Sequence, residues 1–335
     1  MPPSGDTIPS TQFIDIGVNL TDPVFRGLYR GKQVHEDDFA NVIIRADAAG
    51  VKGMMITGGS LHESREAVDL ANSSGAGIYA TVGVHPTRTS QLESYPSGAA
   101  VYLGLLEELI EQNSKPKGKG KIVAWGECGL DYDRLQFSDV DTQKKHFATQ
   151  LKLAQKHGLP LFLHSRSAHQ DFVSICRGAG YDKDGGHANG GKSGVVHSFT
   201  GTEAEMKELV EMGFYIGLNG CSLKTEENLA VAKAVPLERL MLETADAPWC
   251  TITTPHSSYH HLKALPTDLR QLYFPDSCKK EKFVTGKTVK GRNEPCATGG
   301  VAWIVAQVKG VSIDEVATHA WKNTVGLFGL SELDE

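Results

Sequence analysis

Four short apolar segments of the chain end in a side chain that can bind a divalent metal ion. The four candidate ligands are two carboxylates and two imidazoles, namely Glu127, His164, His197 and Asp246. A short apolar run bounded by turn residues predicts a buried strand, and a titratable group at its end is costly to bury unless it is paired, hydrogen-bonded or coordinated. Carboxylate and imidazole ligands without cysteine suit Mg²⁺, Mn²⁺ or Zn²⁺ and disfavour a closed structural zinc site. The pattern therefore predicts a metal centre where several strand ends converge.

The elements that must position these side chains alternate along the chain between strand and helix. The predicted strands cover residues 13–19, 53–57, 78–84, 122–126, 161–164, 195–199, 214–218 and 239–243. The predicted helices cover residues 36–49, 60–72, 100–112, 141–156, 169–177, 202–212, 299–308 and 312–323. This alternation predicts an α/β fold with parallel strands, closed as a (β/α)8 TIM-type barrel, in which polar residues at the C-terminal strand ends are catalytic. An open doubly wound sheet is the alternative, but no Gly-x-Gly-x-x-Gly motif follows the first predicted strand, which disfavours a dinucleotide-binding version.

Length and composition predict one barrel domain over residues 13–330, preceded by a disordered tail over residues 1–12. Surface insertions are predicted near residues 113–121, 182–194 and 273–291. The net charge of −6 argues against indiscriminate binding to nucleic acid, although it permits a local basic patch. No apolar stretch is long enough to span a bilayer, and the first dozen residues contain no apolar signal segment. The chain is therefore expected to be cytoplasmic or nuclear, with reduced cysteines.

Seven short motifs occur in a fixed order along the chain. They read FIDIGVNLT (13–21), GVHP (83–86), GECGLD (126–131), HSR (164–166), HSFTG (197–201), ETADAP (243–248) and RNEP (292–295). In this order they resemble the TatD family of metal-dependent deoxyribonucleases, within the wider metal-dependent hydrolase superfamily. The resemblance implies a barrel nuclease that removes nucleotides from DNA ends, acting from the 3′ end. Its metal ligands would fall on Glu127, His164, His197 and Asp246.

Two departures from the superfamily pattern affect the predicted metal site. The superfamily opens with Asp-x-His-x-His, whereas this chain has Asp15, Gly17 and Asn19 at those positions, on one face of the first strand by simple alternation. One of two ions should therefore have few protein ligands and depend on water or substrate phosphate, which favours Mg²⁺. Asp15 is the candidate for a further ligand, and Asn19 is a candidate for substrate binding. The additional Ala245 predicts either a bulge or a change in which carboxylate points inward.

The chemistry expected of such a site is metal-assisted hydrolysis. Two divalent ions can neutralise the charge of a phosphodiester, ionise a bound water and stabilise the leaving oxygen. Glu127, with two oxygens, is predicted to bridge the ions, while His164 and His197 complete the shell of one of them. Asp246 is predicted to be a ligand or to accept the proton of the attacking water.

Other polar residues are predicted to contact a DNA substrate. His85 and Arg166 are candidates for holding phosphate oxygens, and His85 is also a candidate catalytic residue, although it precedes a proline and turn packing would explain it almost as well. Arg292 and Asn293 are predicted to border the substrate cleft. The lysine-rich segment 273–291 is interpreted as a solvated loop in preference to a nucleic-acid contact. Two alternative functions remain, hydrolysis of a small amide or ester and a catalytically weakened barrel that serves as a binding scaffold.

Overall fold

Eight strands of the chain form a single parallel sheet. The computed structural model describes residues 11–118, 120–244 and 250–334, so most of the predicted N-terminal tail lies outside the described residues. In chain order the strands are β1 Phe13–Val18, β2 Val51–Ile56, β3 Ile78–Val82, β4 Ile122–Asp131, β5 Leu161–Arg166, β6 Gly194–Val196, β7 Tyr215–Leu218 and β8 Leu240–Leu242. Nearly all of their residues are buried, as expected for a parallel sheet that is covered by helices.

The order of the strands in the sheet is the order in the chain, and every neighbouring pair is parallel. β1 and β8 lie against each other and close the barrel. The backbone nitrogen of Thr244, just beyond β8, donates a hydrogen bond of 2.9 Å to Oδ1 of Asp15 in β1. The predicted (β/α)8 barrel is therefore confirmed, and the C-terminal strand ends share one end of it.

Helices pack around the barrel between successive strands. The longer ones are Phe39–Ala48, Leu61–Ser73, Ala99–Asn113, Val140–His157, His169–Gly178, Glu203–Glu211, Glu226–Ala234, Thr298–Lys309 and Ile313–Phe328. Side chains at the N-terminus of several of these helices cap the first turn. At the helix Glu203–Glu211, the hydroxyl of Thr202 and the carboxylate of Glu205 form a reciprocal capping box. Among the described residues no single helix is long and apolar enough to cross a bilayer. One pair of consecutive helical segments reaches that length and composition when the two are taken together, and it is bent by 114°. The pair is Pro295–Lys309 with Ile313–Phe328.

The structure differs from the sequence prediction mainly at the ends of elements. The helix Glu226–Ala234 was not predicted, because its nine residues show little amphipathic periodicity. β6 and β8 end at Val196 and Leu242, so His197 and Glu243 lie just beyond the strands. β4 runs to Asp131, five residues beyond the predicted end at residue 126. His197 and Glu243 therefore lie where the regular strand gives way to a loop, whereas Glu127 and His164 lie within β4 and β5.

The predicted geometry of the first strand is wrong. The register of β1 against β2 shifts between Asp15 and Val18, which is the mark of a bulge. An extra residue in the strand interrupts the alternation, so Asp15 and Asn19 do not face the same way. The carboxylate of Asp15 accepts hydrogen bonds from Thr244 and Thr298, whereas Asn19 lines the cleft at the barrel end.

An apolar layer fills the barrel beneath its C-terminal end. It includes Phe162, Val195 and Met241. Each of them lies two residues before a polar residue that is in the same strand or directly after it, namely His164, His197 and Glu243. Because side chains alternate along a strand, a residue two positions further on faces the same way, into the barrel. The ring of Phe162 stacks on that of His197 with centroids 4.5 Å apart. The polar cluster above therefore sits on a packed floor, which fixes its side chains and keeps water from below.

Candidate metal centre

Glu127 is the centre of a cluster of imidazoles at the C-terminal end of the barrel. Its carboxylate is nearly buried, with a residue exposure of 9%. The atom Oε1 lies 2.9 Å from Nδ1 of His164, 2.8 Å from Nε2 of His197 and 3.3 Å from Nε2 of His85. His85, Glu127 and His164 each offer one ligand atom, and these atoms lie within 4.8 Å of one another. Imidazole nitrogen and carboxylate oxygen are donors that Zn²⁺ and Mn²⁺ accept readily, so the residues present fit a divalent ion.

Glycines allow the strands to approach closely at this point. Gly126 and Gly129 lie on either side of Glu127 in β4 and both have a φ of 148°, a conformation that L side chains rarely adopt. A Cβ atom on Gly126 would lie 2.1 Å from the carbonyl oxygen of Phe162, and one on Gly129 would lie 1.8 Å from that of His164. Any larger residue would push β4 away from β5. The glycines therefore bring the Glu127 carboxylate within reach of the histidine of the next strand.

His197 is held from behind by a carboxylate that sequence reasoning did not single out as functional. Nδ1 of His197 lies 3.3 Å from Oε2 of Glu243, which is fully buried. The backbone nitrogen of Ser198 donates a hydrogen bond to the other oxygen of Glu243. A carboxylate behind a metal-binding histidine fixes the ring and its tautomer. The available signal was the position of Glu243, directly after the apolar segment of β8.

His164 has a second carboxylate of the same kind. Its Nε2 lies 3.3 Å from Oδ2 of Asp131, which is fully buried at the end of β4. The other oxygen of Asp131 accepts a 3.0 Å hydrogen bond from the backbone nitrogen of Asp133, and Nε of Arg134 lies 3.8 Å from Oδ2. Asp131 was part of a recognised motif but was not predicted to act at the site. It holds His164 in place, because it occupies the ring nitrogen that does not face Glu127.

The charges in the cluster favour a cation at its centre. Burial by itself raises the pKa of Glu127, but attraction to His197 and His85 outweighs burial and holds that pKa well below its usual value. Burial lowers the pKa of His197, whereas Glu127 and Glu243 raise it more strongly, so the net shift is well upward. The pKa of His85 is lowered, chiefly by burial. A divalent ion would therefore compete with protons for a site whose carboxylate stays ionised.

The cluster opens into a cleft of about 470 Å³. Five of the predicted site residues line it, namely Asn19, His85, Glu127, His164 and Arg166. His197 is buried beside Glu127 and away from the opening. The turn packing considered for His85 is present, since Nδ1 accepts a 3.1 Å hydrogen bond from Thr87 in the turn that follows, while Nε2 faces Glu127. Its role in holding a phosphate oxygen stays a prediction.

The remaining predicted residues lie elsewhere. Arg292 does not line the metal cleft, because its guanidinium is buried in ion pairs with Asp38 and Glu294 and faces a separate cavity. The amide nitrogen of Asn293 donates to the carbonyl oxygens of Thr244 and Cys250, on either side of segment 245–249.

Both oxygens of Asp15 accept hydrogen bonds, and burial raises the pKa of its carboxyl group to about 7. Among the described residues, Asp15 is not a member of the group of possible metal ligands around Glu127. Asp246 and Ala245 lie outside the described residues, and the role of Asp246 as a ligand stays a prediction.

Comparison with known proteins yields one family and full-length relatives. The model of the family described as TatD related DNase matches residues 14–329. A protein of Schizosaccharomyces pombe named deoxyribonuclease Tat-D is 48% identical, and the match covers 96% of each chain. A protein of Erwinia amylovora named 3′-5′ ssDNA/RNA exonuclease TatD is 33% identical over 94% of this chain and 99% of its own. A crystal structure titled as an uncharacterized amidohydrolase from Saccharomyces cerevisiae superposes with a TM-score of 0.83 at 37% identity, covering 95% and 100% of the two chains.

Proposed function

We propose a metal-dependent deoxyribonuclease activity for this chain, which belongs to the TatD related DNase family. The observation that carries the proposal is the convergence of three imidazoles on one oxygen of Glu127, at the barrel end where catalytic groups gather. That cluster opens into a cleft that also contains Arg166. A guanidinium next to a metal ion binds the anionic oxygens of a phosphodiester well. A neutral amide substrate has no anionic oxygen for it to bind.

The residues around Glu127 divide the work of hydrolysis between them. Glu127, His164 and His197, with His85 beside them, would hold a divalent ion, which supplies Lewis acidity and lowers the pKa of a bound water. Arg166 binds a non-bridging phosphate oxygen and orients the ester in the cleft. Glu243 and Asp131 hold the rings of His197 and His164, so that their nitrogen atoms keep a fixed direction.

His85 is suited to move a proton. Because burial lowers its pKa, its imidazole is neutral near pH 7, and Nε2 faces the centre of the site. Because Nδ1 accepts a hydrogen bond from Thr87, the neutral ring carries its proton on Nε2 and can donate it to the leaving oxygen, which is one of the two proton transfers of hydrolysis. Asp246, proposed from the sequence as a further ligand or proton acceptor, would share this task.

The direction of attack, the metal and the location are finer parts of the proposal. Cleavage from the 3′ end is supported by the bacterial relative whose name states a 3′-5′ exonuclease. Two ions with a preference for Mg²⁺ are supported by Gly17 and Asn19, which stand where histidines would supply tighter ligands, and phosphate oxygens would complete the second shell. A cytoplasmic or nuclear location is proposed on the sequence reasons given above.

The proposal is tested by incubating the protein with oligonucleotides labelled at either the 5′ or the 3′ end. We expect a 5′-labelled single strand to shorten one nucleotide at a time with Mg²⁺ and to stay intact with EDTA. A 3′ label should appear first as a mononucleotide. Release of the 5′ label as a mononucleotide, or of the 3′ label on a fragment several nucleotides long, would contradict 3′ exonuclease action. Cleavage that survives EDTA would contradict the metal centre.

Calorimetric titration tests the proposed second ion. Apo protein titrated with Mn²⁺ should show at most one tight site, and a second should appear when a non-cleavable oligonucleotide is present, because its phosphates complete the shell. Two equally tight sites in the free protein would refute this part of the proposal.

A further inference from the structure

Two further cavities adjoin the metal cleft, one at each end of it. Asp22 and Pro23, which follow β1, line both the metal cleft and a cavity of about 830 Å³. Arg166, at the end of β5, lines both the metal cleft and a cavity of about 640 Å³. β1 and β5 stand on opposite sides of an eight-stranded barrel. A strand of nucleic acid that lies in the metal cleft can therefore leave it in either of two directions.

The two cavities differ in charge. The cavity next to β1, called here the basic cavity, is lined by Arg30, Lys279, Lys280 and Lys290, together with the ion-paired Arg292. Its carboxylates are Asp22 and Glu281.

The cavity next to β5, called the acidic cavity, has four carboxylates, and its one arginine is Arg166. The carboxylates belong to Asp133, Glu203, Glu205 and Glu227. A phosphate backbone is attracted to the basic cavity and repelled by the acidic one, because each nucleotide carries a negative charge.

The basic cavity also offers an aromatic surface. The ring of Tyr29 is partly buried in its wall, and Nζ of Lys280 lies over one face of the ring, 4.6 Å from its centroid, where a stacking base would displace it. The hydroxyl of Tyr29 lies 3.3 Å from Nε2 of His35, which steadies the ring. Val24 and Leu28 add apolar area beside it. Proteins that bind single strands combine cations along the backbone with aromatic rings on which bases stack.

The backbone that carries two lysines of this cavity is held in place by strand pairing. Ser277–Cys278 pairs with Thr288–Val289 as a short two-stranded ribbon, and the backbone nitrogen of Lys290 donates a 2.8 Å hydrogen bond to the carbonyl oxygen of Cys278. Because this pairing is parallel, Lys279 and Lys290 follow the paired residues Cys278 and Val289 directly, and their backbones lie side by side at the same end of the ribbon. The interpretation of segment 273–291 as a solvated loop accounts for its exposure but not for this arrangement around one cavity.

We infer that the basic cavity is the subsite for the single-stranded remainder of the nucleic acid, with a base against Tyr29 and backbone phosphates on Arg30, Lys279 and Lys290. The inference rests on the proposed nuclease function and adds to it the direction in which the uncut strand leaves the metal cleft. The acidic cavity, on the other side of Arg166, is left to solvent, because its carboxylates repel a released nucleotide as they repel the strand.

The test compares substrates that differ only in length. KM is measured in Mg²⁺ for oligothymidylates of 2 and 15 nucleotides, and binding of the longer one is measured in EDTA by fluorescence anisotropy. The first variant is Lys279→Gln/Lys290→Gln, in which both exposed lysines lose their charge. Its control is Lys152→Gln/Lys322→Gln, an equal charge change at exposed lysines that line none of the three cavities. A second variant, Tyr29→Leu, removes the ring, and circular dichroism checks its fold.

We expect the natural protein to bind the longer substrate more tightly than the shorter one. The lysine variant should lose most of this advantage, and its plot of log affinity against log salt should be shallower by about 1.4, since a single strand contributes about 0.7 for each phosphate neutralised. Tyr29→Leu should weaken binding of the longer substrate by about 5- to 150-fold. The control pair should follow the natural protein.

The outcomes separate the two claims. If no substrate is hydrolysed, the proposed function fails, while the anisotropy series still decides whether the cavity binds a strand. If both lysine variants behave alike and Tyr29→Leu keeps the length dependence, the inference is overturned while the nuclease activity stands. If Glu203→Gln/Glu227→Gln strengthens binding of the longer substrate while Lys279→Gln/Lys290→Gln leaves it unchanged, the strand leaves through the acidic cavity, and the inference is equally overturned.

Discussion

Two clusters of buried charge lie in this barrel, and they are built from different groups. The metal cluster consists of His85, Glu127, His164 and His197. The arginine cluster consists of Asp38, Arg45, Arg292 and Glu294. In the arginine cluster, Arg45 lies 2.8 Å from Asp38 and 2.8 Å from Glu294, while Arg292 lies 2.7 Å from Glu294 and also contacts Asp38. Both clusters are buried, yet only the metal cluster opens into the cleft that Arg166 lines.

The difference lies in whether the groups can change their charge. Burial lowers the pKa of Arg45 and of Arg292, but their carboxylate partners outweigh it and raise both values further, so the guanidinium groups stay charged. Two permanent cations and two anions balance each other in charge. The imidazoles around Glu127 can lose protons and accept a metal ion instead. Burial of charge alone thus does not mark a functional site, whereas an incompletely balanced set of titratable groups does.

The comparison also assigns a structural role to the arginine cluster. Arg45 belongs to the helix Phe39–Ala48, and Glu294 comes shortly before the helix Thr298–Lys309. Their ion pair joins segments that are 249 positions apart in the chain. Arg292, predicted from its motif to contact substrate, serves this connection.

The largest expected effect is on stability. Arg292→Met should lower the free energy of unfolding by about 3–5 kcal/mol, because Asp38 and Glu294 lose a buried cation. Urea unfolding followed by circular dichroism measures the change. The control is Arg177→Met, whose partner Glu208 is on the surface and where about 0–1 kcal/mol is expected. Equal effects in the two variants would remove the distinction between a buried and an exposed pair.

Glu127→Gln should act on activity instead. The amide removes the central negative charge, and hydrolysis should fall by roughly 10²- to 10³-fold or more while the circular dichroism spectrum is unchanged. The end-labelled oligonucleotide assay measures the rate. Glu111→Gln, an exposed change on the helix Ala99–Asn113, is the control. A folded Glu127→Gln protein with near-natural turnover would exclude Glu127 from the mechanism.

Glu243→Gln tests the support behind the metal cluster. The ring of His197 loses its charged partner and part of its fixed direction, so metal affinity should fall by about 10- to 100-fold. Calorimetric titration with Mn²⁺ gives the affinity directly. The matched control is Glu208→Gln, because Glu208 contacts His169 at 2.7 Å on the surface. An affinity loss of the same size in both variants would contradict a specific role of Glu243 in supporting the metal cluster.

Asp15→Asn should change how stability depends on pH, with the smallest effect at low pH. Burial raises the pKa of Asp15 to about 7, from 3.8 in the unfolded chain. Between about pH 4 and pH 7 the folded state keeps a proton that the unfolded state has lost. Ionisation of Asp15 therefore reduces the stability of the natural protein as pH rises through this window, by at most about 1.4 kcal/mol per pH unit, with no further loss above it.

An amide in place of the Asp15 carboxyl group does not titrate, so the free energy of unfolding of Asp15→Asn should fall less steeply from pH 4 to pH 7. Urea unfolding in EDTA at several pH values gives the difference between the two proteins. Parallel curves would contradict the raised pKa.

The sequence alone determined the barrel and the places where side chains reach its catalytic end. Buried strands in a parallel barrel are short apolar runs, and a polar group at the end of such a run is conspicuous because burying it is costly. This local signal led to Glu127, His164 and His197, which the structure brings together. The TatD motifs were equally local, since each is a few residues long, and the family they indicated is confirmed.

Only the tertiary structure decided how groups from distant segments pair. Asp131 and His164 are 33 positions apart and Glu243 and His197 are 46 apart, so no local pattern could show which carboxylate holds which ring. A bulge in β1 changes which way Asp15 faces, and one extra residue leaves no clear trace in an apolar sequence. The role of Arg292 was decided by a carboxylate 254 positions away in the chain. Residue types set which charges can exist, whereas the fold sets which charges meet, and the energy of a buried charge depends on its partners.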